Sequence, residues 1–163
     1  MKDAGEEHLM LSQKERTEIA EVLSHHEHRR AACFEALSIV QRHRGWVQDE
    51  SLREIAELLG MTPDELDSVA TFYNLIFRKP VGRHVILICD SVSCWVMGYR
   101  GLEEHLKARL GIDFGETTAD GRFTLLPNAC LGVCERAPAM MIDEDLHTDL
   151  HPEKIDQILE KYR

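Results

Sequence analysis

The sequence predicts an α+β protein in which a bundle of short helices precedes an α/β layer with a mixed sheet. From Ser12 to about Phe77, apolar residues recur at the three- and four-residue spacing of amphipathic helices. After Gly82, short apolar runs of strand length alternate with helical segments. The run Lys-Pro-Val-Gly-Arg at 79–83 separates the two patterns. We therefore expect two domains, residues 12–79 and residues 80–163.

Four helices are predicted in the first region. Ser12 and Thr62 each precede a helix and are followed three residues later by a glutamate, which is the signature of a capping box. Gly45 and Gly60 follow the second and third helices, as glycine commonly does at a helix C-terminus. We expect Cys33 and the aromatic residues Phe72, Tyr73 and Phe77 in the bundle core; partner docking is the alternative for the aromatics.

The second region is predicted to contain a strand, a helix, four strands and a final helix. The first strand is the apolar run that ends at Cys89, and the pair Asp120-Gly121 predicts a hairpin turn. A further strand is expected near Thr117. The remaining signals are a helix over 98–110, a strand at 123–126, two strands beside the turn 143–145, and a helix from Pro152.

Composition excludes several classes of protein. Of the 163 residues, 44% are hydrophobic, which is too many for a disordered chain. The formal charge of −10, from 19 Lys and Arg against 29 Asp and Glu, argues against nucleic-acid binding. No apolar run is long enough to span a membrane, and residues 1–10 lack a secretory signal. We expect a reducing compartment, where cysteines are seldom paired as disulfides.

Four of the five cysteines form two close pairs in the second region. Cys89 and Cys94 are separated by four residues, and Cys130 and Cys134 by three. Each pair follows a predicted strand, so a short loop can turn two thiolates toward one point. Gly132, between the second two, permits a positive φ and a close approach of the main chain to sulfur. Hydroxyls at 91 and 93 in the first loop are candidate donors to sulfur.

Two thiolate pairs are the ligand set of an all-cysteine site for zinc or iron–sulfur. Two irons with two terminal thiolates each match two separated pairs, which favours a [2Fe–2S] cluster. A structural zinc site stays open on spacing alone. A redox dithiol is disfavoured because neither pair has the two-residue spacing of thioredoxin-like oxidoreductases.

The flanks of both pairs resemble one known family. Leu-Pro-Asn-Ala precedes Cys130, and Ala-Pro-x-Met-x-Ile-Asp begins at Ala137. Arg-Gly-Trp-Val at 44–47 and Val-Ala-Thr-Phe-Tyr at 69–73 extend the likeness over nearly the whole chain. Together these motifs resemble the thioredoxin-like [2Fe–2S] ferredoxin subunits of respiratory complex I.

The resemblance implies a thioredoxin-like fold for residues 80–163 and one [2Fe–2S] cluster. Cys89 and Cys94 would bind one iron, and Cys130 and Cys134 the other. The protein would exchange single electrons with the FMN of an NADH-binding flavoprotein subunit. It would lie among other iron–sulfur subunits of a peripheral arm, on the cytoplasmic side of a bacterial inner membrane. The equivalent subunit of an NAD-linked hydrogenase or formate dehydrogenase is the nearest alternative. Two less favoured alternatives are a zinc-stabilised adaptor without redox activity and a free ferredoxin that carries electrons between enzymes.

This chain itself carries no nucleotide-binding fingerprint, so FMN and NADH are expected in a partner, and no substrate-turnover site is expected here. The cluster is predicted to have a low potential, on the order of −400 mV or somewhat above. Acidic residues near the cysteines in sequence, at 90, 135 and 143–145, should lower it. Trp95, Val96 and Met97 directly follow a ligand, and we expect them either to shield the cluster or to form a partner surface.

Overall fold

The structure, a computed structural model, describes residues 10–162. The chain forms two compact units, one ending at Pro80 and the other beginning at Val81. Each unit has its own apolar core. In the described range, no helix is both long enough and apolar enough to cross a lipid bilayer.

The first unit is a helical bundle, as predicted. Both capping boxes form, at Ser12 and at Thr62. Gly45 and Gly60 adopt the left-handed conformation that ends the second and third helices. A short 3-10 turn, Arg29–Ala32, which the apolar pattern did not indicate, leads into the second helix. The helices are α1 (Gln13–Ser24), α2 (Cys33–Arg44), α3 (Asp49–Leu59) and α4 (Pro63–Phe72).

The bundle core is built by the predicted stripes. Ile19, Leu37, Ile55 and Leu66, one from each helix, are completely buried. Full burial of such a side chain stabilises the fold by about 2 kcal/mol. Cys33 is half-buried and packs against this core, so its predicted structural role is consistent with its position.

A buried ion pair joins α1 to α2. Glu15 accepts hydrogen bonds from Arg44 at 2.6 and 2.7 Å, and Arg44 also donates to the hydroxyl of Ser51 at 3.1 Å. Burial acts to raise the pKa of Glu15. The hydrogen bonds from Arg44 and from Ser12 outweigh it and lower that pKa to about 2.

The prediction that Phe72 and Tyr73 lie in the core is wrong. Phe72 is 81% exposed and Tyr73 44% exposed, while Phe77 is half-buried. The buried residues of helix α4 are Leu66 and Ala70, which face the core. Phe72 lies two residues beyond Ala70, about 200° around the helix, and therefore faces away from the core. The ring of Tyr73 contacts that of Phe72 at 5.3 Å between centroids.

The second unit is a four-stranded mixed sheet with helices, which confirms the predicted α+β class. The strand order is β2-β1-β3-β4. Strand β1 pairs parallel with β2 and antiparallel with β3, and β3 pairs antiparallel with β4. The elements are β1 (His84–Cys89), α5 (Val92–Val96), α6 (Tyr99–Leu110), β2 (Phe123–Asn128), β3 (Met140–Ile142), β4 (Asp145–His147) and α7 (Pro152–Leu159).

The predicted strand near Thr117 is wrong. Thr117 forms only an isolated bridge to Thr124, and their hydroxyls lie 2.7 Å apart. Turn hydrogen bonds, such as that from the Gly115 N–H to the Leu125 carbonyl at 2.8 Å, hold this segment against β2. Helix α5 was not predicted, because five residues are too few to show a periodic apolar stripe.

Candidate iron–sulfur site

The ends of β1 and β2 bring the two cysteine pairs to one edge of the sheet. Because these strands are parallel, their carboxyl ends meet, with Cys89 opposite Asn128. The N–H of Asp90 donates to the Asn128 carbonyl at 3.0 Å, which extends the pairing by one residue. Cys130 follows two residues later. We call this region, formed by residues 89–94 and 128–139, the carboxyl edge.

Strand β3 contributes a third segment to the carboxyl edge. Ala139 directly precedes this strand, and its carbonyl accepts a hydrogen bond from the Cys89 N–H at 3.1 Å. The main chain at Ala139 also acts to lower the pKa of the Cys94 thiol. Sequence reasoning missed this segment, because a main-chain contact has no signature in the sequence. Its only trace was the Ala-Pro-x-Met run that forms part of the family resemblance.

The first pair, Cys89 and Cys94, is buried. Cys89 ends β1 and Cys94 lies on α5, and both residues are 3% exposed within the apolar core of the unit. Burial, and then the neighbouring Cys89, raise the pKa of the Cys94 thiol to about 11. A metal ion bound to both sulfurs reverses this effect, because coordination deprotonates a thiol.

The second pair, Cys130 and Cys134, is exposed. The two sulfurs lie 3.9 Å apart on a loop whose Leu131 and Val133 pack back against the core. Gly132 has a φ of +80°, and its N–H donates to the Cys130 sulfur at 3.3 Å. The predicted role of this glycine is confirmed.

Hydrogen bonds fix the chain that follows the second pair. Cys134 begins a short 3-10 turn in which the Arg136 N–H donates to the Val133 carbonyl at 2.9 Å. The Arg136 side chain donates twice to one oxygen of Asp149, at 2.8 and 3.0 Å. The N–H of Asp149 in turn donates to the Arg136 carbonyl at 2.9 Å. The exposed loop is therefore anchored on both sides of its cysteines.

The geometry of the pairs fits metal–thiolate chemistry. A tetrahedral thiolate site with bonds near 2.3 Å places two sulfurs about 3.8 Å apart. The sulfurs of Cys130 and Cys134 already have this separation. Cys134 also raises the pKa of Cys94 through its charge, which places the two pairs within electrostatic range of each other. In residues 10–162, no group of three or more His, Cys, Asp or Glu side chains is arranged to hold a metal ion. That all four cysteines share one cluster stays a prediction.

Most of the predicted acidic environment lies elsewhere. Asp143 accepts from the ring of His84 at 2.7 Å and from the Val85 N–H at 2.9 Å, so the turn 143–145 lies at the start of β1. Cys89 is five residues further along this strand, or roughly 17 Å away. That distance exceeds the screening length of about 8 Å at physiological salt. The structure therefore places this turn far from Cys89, and of the predicted acidic residues only Asp90 and Glu135 adjoin the cysteines in sequence. The effect of these residues on the potential stays a prediction.

The first loop carries an exposed apolar surface. Trp95, Val96 and Met97 are 52%, 70% and 60% exposed, so at least half of each residue is open to solvent. Their role as a shield or as a partner surface stays a prediction. The guanidinium of Arg100 lies 5.4 Å from the centre of the Trp95 ring. Ser91 is the N-cap of α5, without a side-chain capping bond, and donation from the serine hydroxyls to sulfur stays a prediction.

The mixed sheet presents two thiol pairs at its carboxyl edge, and paired thiolates are the ligand type of iron–sulfur proteins. The family model for thioredoxin-like [2Fe–2S] ferredoxins matches residues 19–163, and the chain belongs to this family. It is an electron-transfer iron–sulfur protein with a thioredoxin-like fold and one [2Fe–2S] cluster, which confirms these predictions.

Relatives in bacterial respiration agree with this assignment. The chain is 53% identical over 153 residues to the E subunit of NADH-quinone oxidoreductase from Escherichia coli (strain K12), covering 94% of this chain and 92% of that protein. The same subunit of Pseudomonas aeruginosa is 50% identical with the same coverage. The structure of an NAD+-reducing [NiFe]-hydrogenase in the H2-reduced state matches 80% of this chain with a TM-score of 0.69 and 30% identity. The match spans only 22% of that longer chain.

Proposed function

We propose that this chain is the electron-transfer subunit of a proton-translocating NADH:quinone oxidoreductase. Cys89 and Cys94 bind one iron of the cluster, and Cys130 and Cys134 bind the other. The observation that supports this proposal is that the parallel ends of β1 and β2 place both cysteine pairs at the carboxyl edge. The near-full-length likeness to one NADH-quinone oxidoreductase subunit from two bacteria supports the choice of complex.

When bound, the cluster would store one electron. The protein's own residues would control the cluster's access to water and the hydrogen bonds to its sulfur ligands. The buried pair removes one side of the site from water, while the loop around Gly132 leaves the other side near the surface. The main-chain N–H of Gly132 donates to the sulfur of Cys130. Such bonds stabilise thiolate charge and set the potential of an iron–sulfur centre.

We assign different roles to the two regions of the chain, because only the second contains the proposed cluster ligands. We assign residues 80–163 as the [2Fe–2S] ferredoxin domain and residues 12–79 as a helical bundle that carries no cluster ligand. The electron partner is the FMN of an NADH-binding flavoprotein subunit, beside other iron–sulfur subunits of a peripheral arm. That arm lies on the cytoplasmic face of the inner membrane. The chain has no substrate-turnover site of its own.

A second candidate is the matching subunit of an NAD-linked hydrogenase. The fold likeness to the NAD+-reducing hydrogenase favours it, but at 30% identity against 53% for the oxidoreductase subunit. In the hydrogenase, the matching region is part of a much longer chain, whereas the oxidoreductase subunits have nearly the length of this one.

The test is iron and acid-labile sulfide analysis of the purified full chain, with an electron paramagnetic resonance spectrum after dithionite reduction. We expect two irons and two sulfides per chain and a signal from one unpaired electron. A colourless protein that contains zinc would overturn the cluster assignment. To test the partner, the chain is co-expressed with the proposed NADH-binding flavoprotein subunit. NADH should then reduce the cluster only in the complex, and a flavin-free partner should abolish this reduction.

A further inference from the structure

A cavity of about 210 Å³ lies in the sheet unit, at the amino end of β2 and beside the ends of α6 and α7. Strand β2 runs from Phe123 at this cavity to Asn128 at the carboxyl edge, a length of roughly 17 Å. The cavity is therefore separate from the proposed cluster site. Its lining residues are Arg109, Leu110, Arg122, Phe123, Leu159 and Glu160.

Half of the lining residues are apolar. Phe123 is completely buried, Leu159 is 5% exposed, and Leu110 packs against the same core. The volume of the cavity is below the roughly 300–1,000 Å³ of sites that hold drug-sized molecules. The cavity therefore suits a smaller molecule with an apolar body.

Two arginines supply hydrogen-bond donors to the lining. The guanidinium carbon of Arg122 lies 4.8 Å from the centre of the Phe123 ring, and the Nε atom of Arg122 is buried without a hydrogen bond. The closest oxygen of Asp120 is 3.5 Å from this Nε. Arg109 donates through its Nε to Asp156 at 3.2 Å. Within the described part of the chain, no acceptor is hydrogen-bonded to the terminal nitrogens of either arginine, where most donors of a guanidinium lie.

The charge of the lining indicates the kind of ligand. The two arginines and Glu160 leave one net positive charge around the cavity, although the whole chain has a formal charge of −10. A ligand with a single negative charge balances this lining, whereas a dianion would exceed it. The planar guanidinium matches a carboxylate in geometry.

We propose that this cavity binds a small monocarboxylate with an apolar body. The carboxylate accepts hydrogen bonds from the terminal nitrogens of Arg109 and Arg122, and the apolar body packs against Phe123 and its neighbours. The inference goes beyond the proposed function, because binding here requires neither the cluster nor a partner subunit.

The test is a titration of the 15N-labelled full chain with phenylacetate, followed by amide chemical shifts. We expect saturable shifts at Leu110, Phe123 and Leu159. Acetate lacks the apolar body and phenylethanol lacks the charge, so each should bind at least about tenfold more weakly. Phenylethylamine, with the opposite charge, should cause no shift at these amides. Equal binding of the three phenyl compounds, or no response to phenylacetate, would overturn the inference.

Matched variants separate a binding role from a structural one. Arg109→Gln and Arg122→Gln should each weaken phenylacetate binding by at least about tenfold, while Glu160→Gln should strengthen it by removing a like charge. Arg100→Gln is the control, because Arg100 lies on the same helix as Arg109 but faces the ring of Trp95.

The structural alternative is that Arg109 only stabilises the negative end of α6. In that case Arg109→Gln would lower the thermal midpoint and leave the phenylacetate shifts unchanged, which would contradict the inference. If an arginine variant does not fold by circular dichroism, the exposed Glu160→Gln still decides the question. Unchanged or weaker binding by Glu160→Gln would also contradict the inference.

Discussion

The two units of this protein bury charge and sulfur in different ways. The helical bundle buries a complete ion pair, Glu15 with Arg44, whose hydrogen bonds are satisfied within the unit. The sheet unit buries the thiols of Cys89 and Cys94, and burial, followed by the neighbouring Cys89, raises the pKa of Cys94. The first arrangement is self-sufficient, whereas two buried thiols gain stability when a cation binds them as thiolates. This difference separates a structural polar site from the proposed cluster site.

The largest expected effect comes from removing a proposed ligand in the sheet unit. Cys130→Ser should lose or rearrange the cluster, because one iron would lack a thiolate. Cys33→Ser, in the bundle, should leave the cluster intact, since Cys33 packs only against the bundle core. Visible absorption and iron content of the two purified variants provide the measurement. Identical spectra from both would show that the ligand assignment is wrong.

In the bundle, the largest expected effect is the loss of Glu15. Glu15→Ala leaves Arg44 in a largely buried position without its counter-charge, which costs about 3–5 kcal/mol. Glu18→Ala removes surface pairs with Arg42 and His43 and should cost at most about 1 kcal/mol. Urea denaturation followed by helical circular dichroism measures both. Comparable losses of unfolding free energy in the two variants would show that the buried Glu15–Arg44 pair stabilises the bundle no more than a surface pair does.

The same ion pair makes the bundle sensitive to acid. The pKa of Glu15 is lowered to about 2 in the folded state, so its stabilising effect is present above the unfolded value near 4.3. That stability, about 3 kcal/mol, should be lost as the pH falls from about 5 toward 2. Denaturation midpoints across this range test the expectation. The Glu15→Gln variant should show a flatter profile, and an unchanged slope would refute the role of this carboxylate.

A smaller effect is expected from losing the hydrogen bond that the Gly132 amide donates to the Cys130 sulfur. Gly132→Ala strains a residue with φ of +80° and turns its N–H away from sulfur. The reduction potential should fall by on the order of 50 mV, since a tenfold change in a one-electron equilibrium is about 59 mV. Gly111→Ala is the matched control, because Gly111 has φ of +69° at the end of α6 and no contact with sulfur. A redox titration should show a shift only for the first variant.

The smallest expected effect separates the carboxylates at the two ends of β1. Asp90→Asn, beside Cys89, should raise the potential by on the order of 20 mV. Glu144→Gln, in the turn at the far end of the strand, should change it by no more than about 5 mV, because that turn lies beyond the screening length. Titrations at low and high salt provide the comparison. A larger change in the reduction potential for Glu144→Gln than for Asp90→Asn would show that the acidic turn influences the proposed cluster.

Much of the bundle could be predicted because its signals are local. The capping boxes at Ser12 and Thr62 act over three residues, and the glycines that end α2 and α3 act at a single position. The exposure of Phe72 and Tyr73 could not be predicted in this way. It depends on where α4 ends and on which of its faces meets the other helices.

The sequence by itself determined the starts of α1 and α4 and the ends of α2 and α3, the order of the strands along the chain apart from Thr117, and the presence of two thiol pairs with a glycine that turns its amide toward sulfur. The tertiary structure alone decided that one pair is buried and the other exposed, that the Cys89 N–H donates to the Ala139 carbonyl, and that the acidic turn lies at the far end of β1. The physical reason is the sequence separation over which each kind of interaction forms. Caps and turns form between residues a few positions apart, whereas burial and charge environment follow from the pairing of β1 with β2 and β3 across more distant parts of the chain.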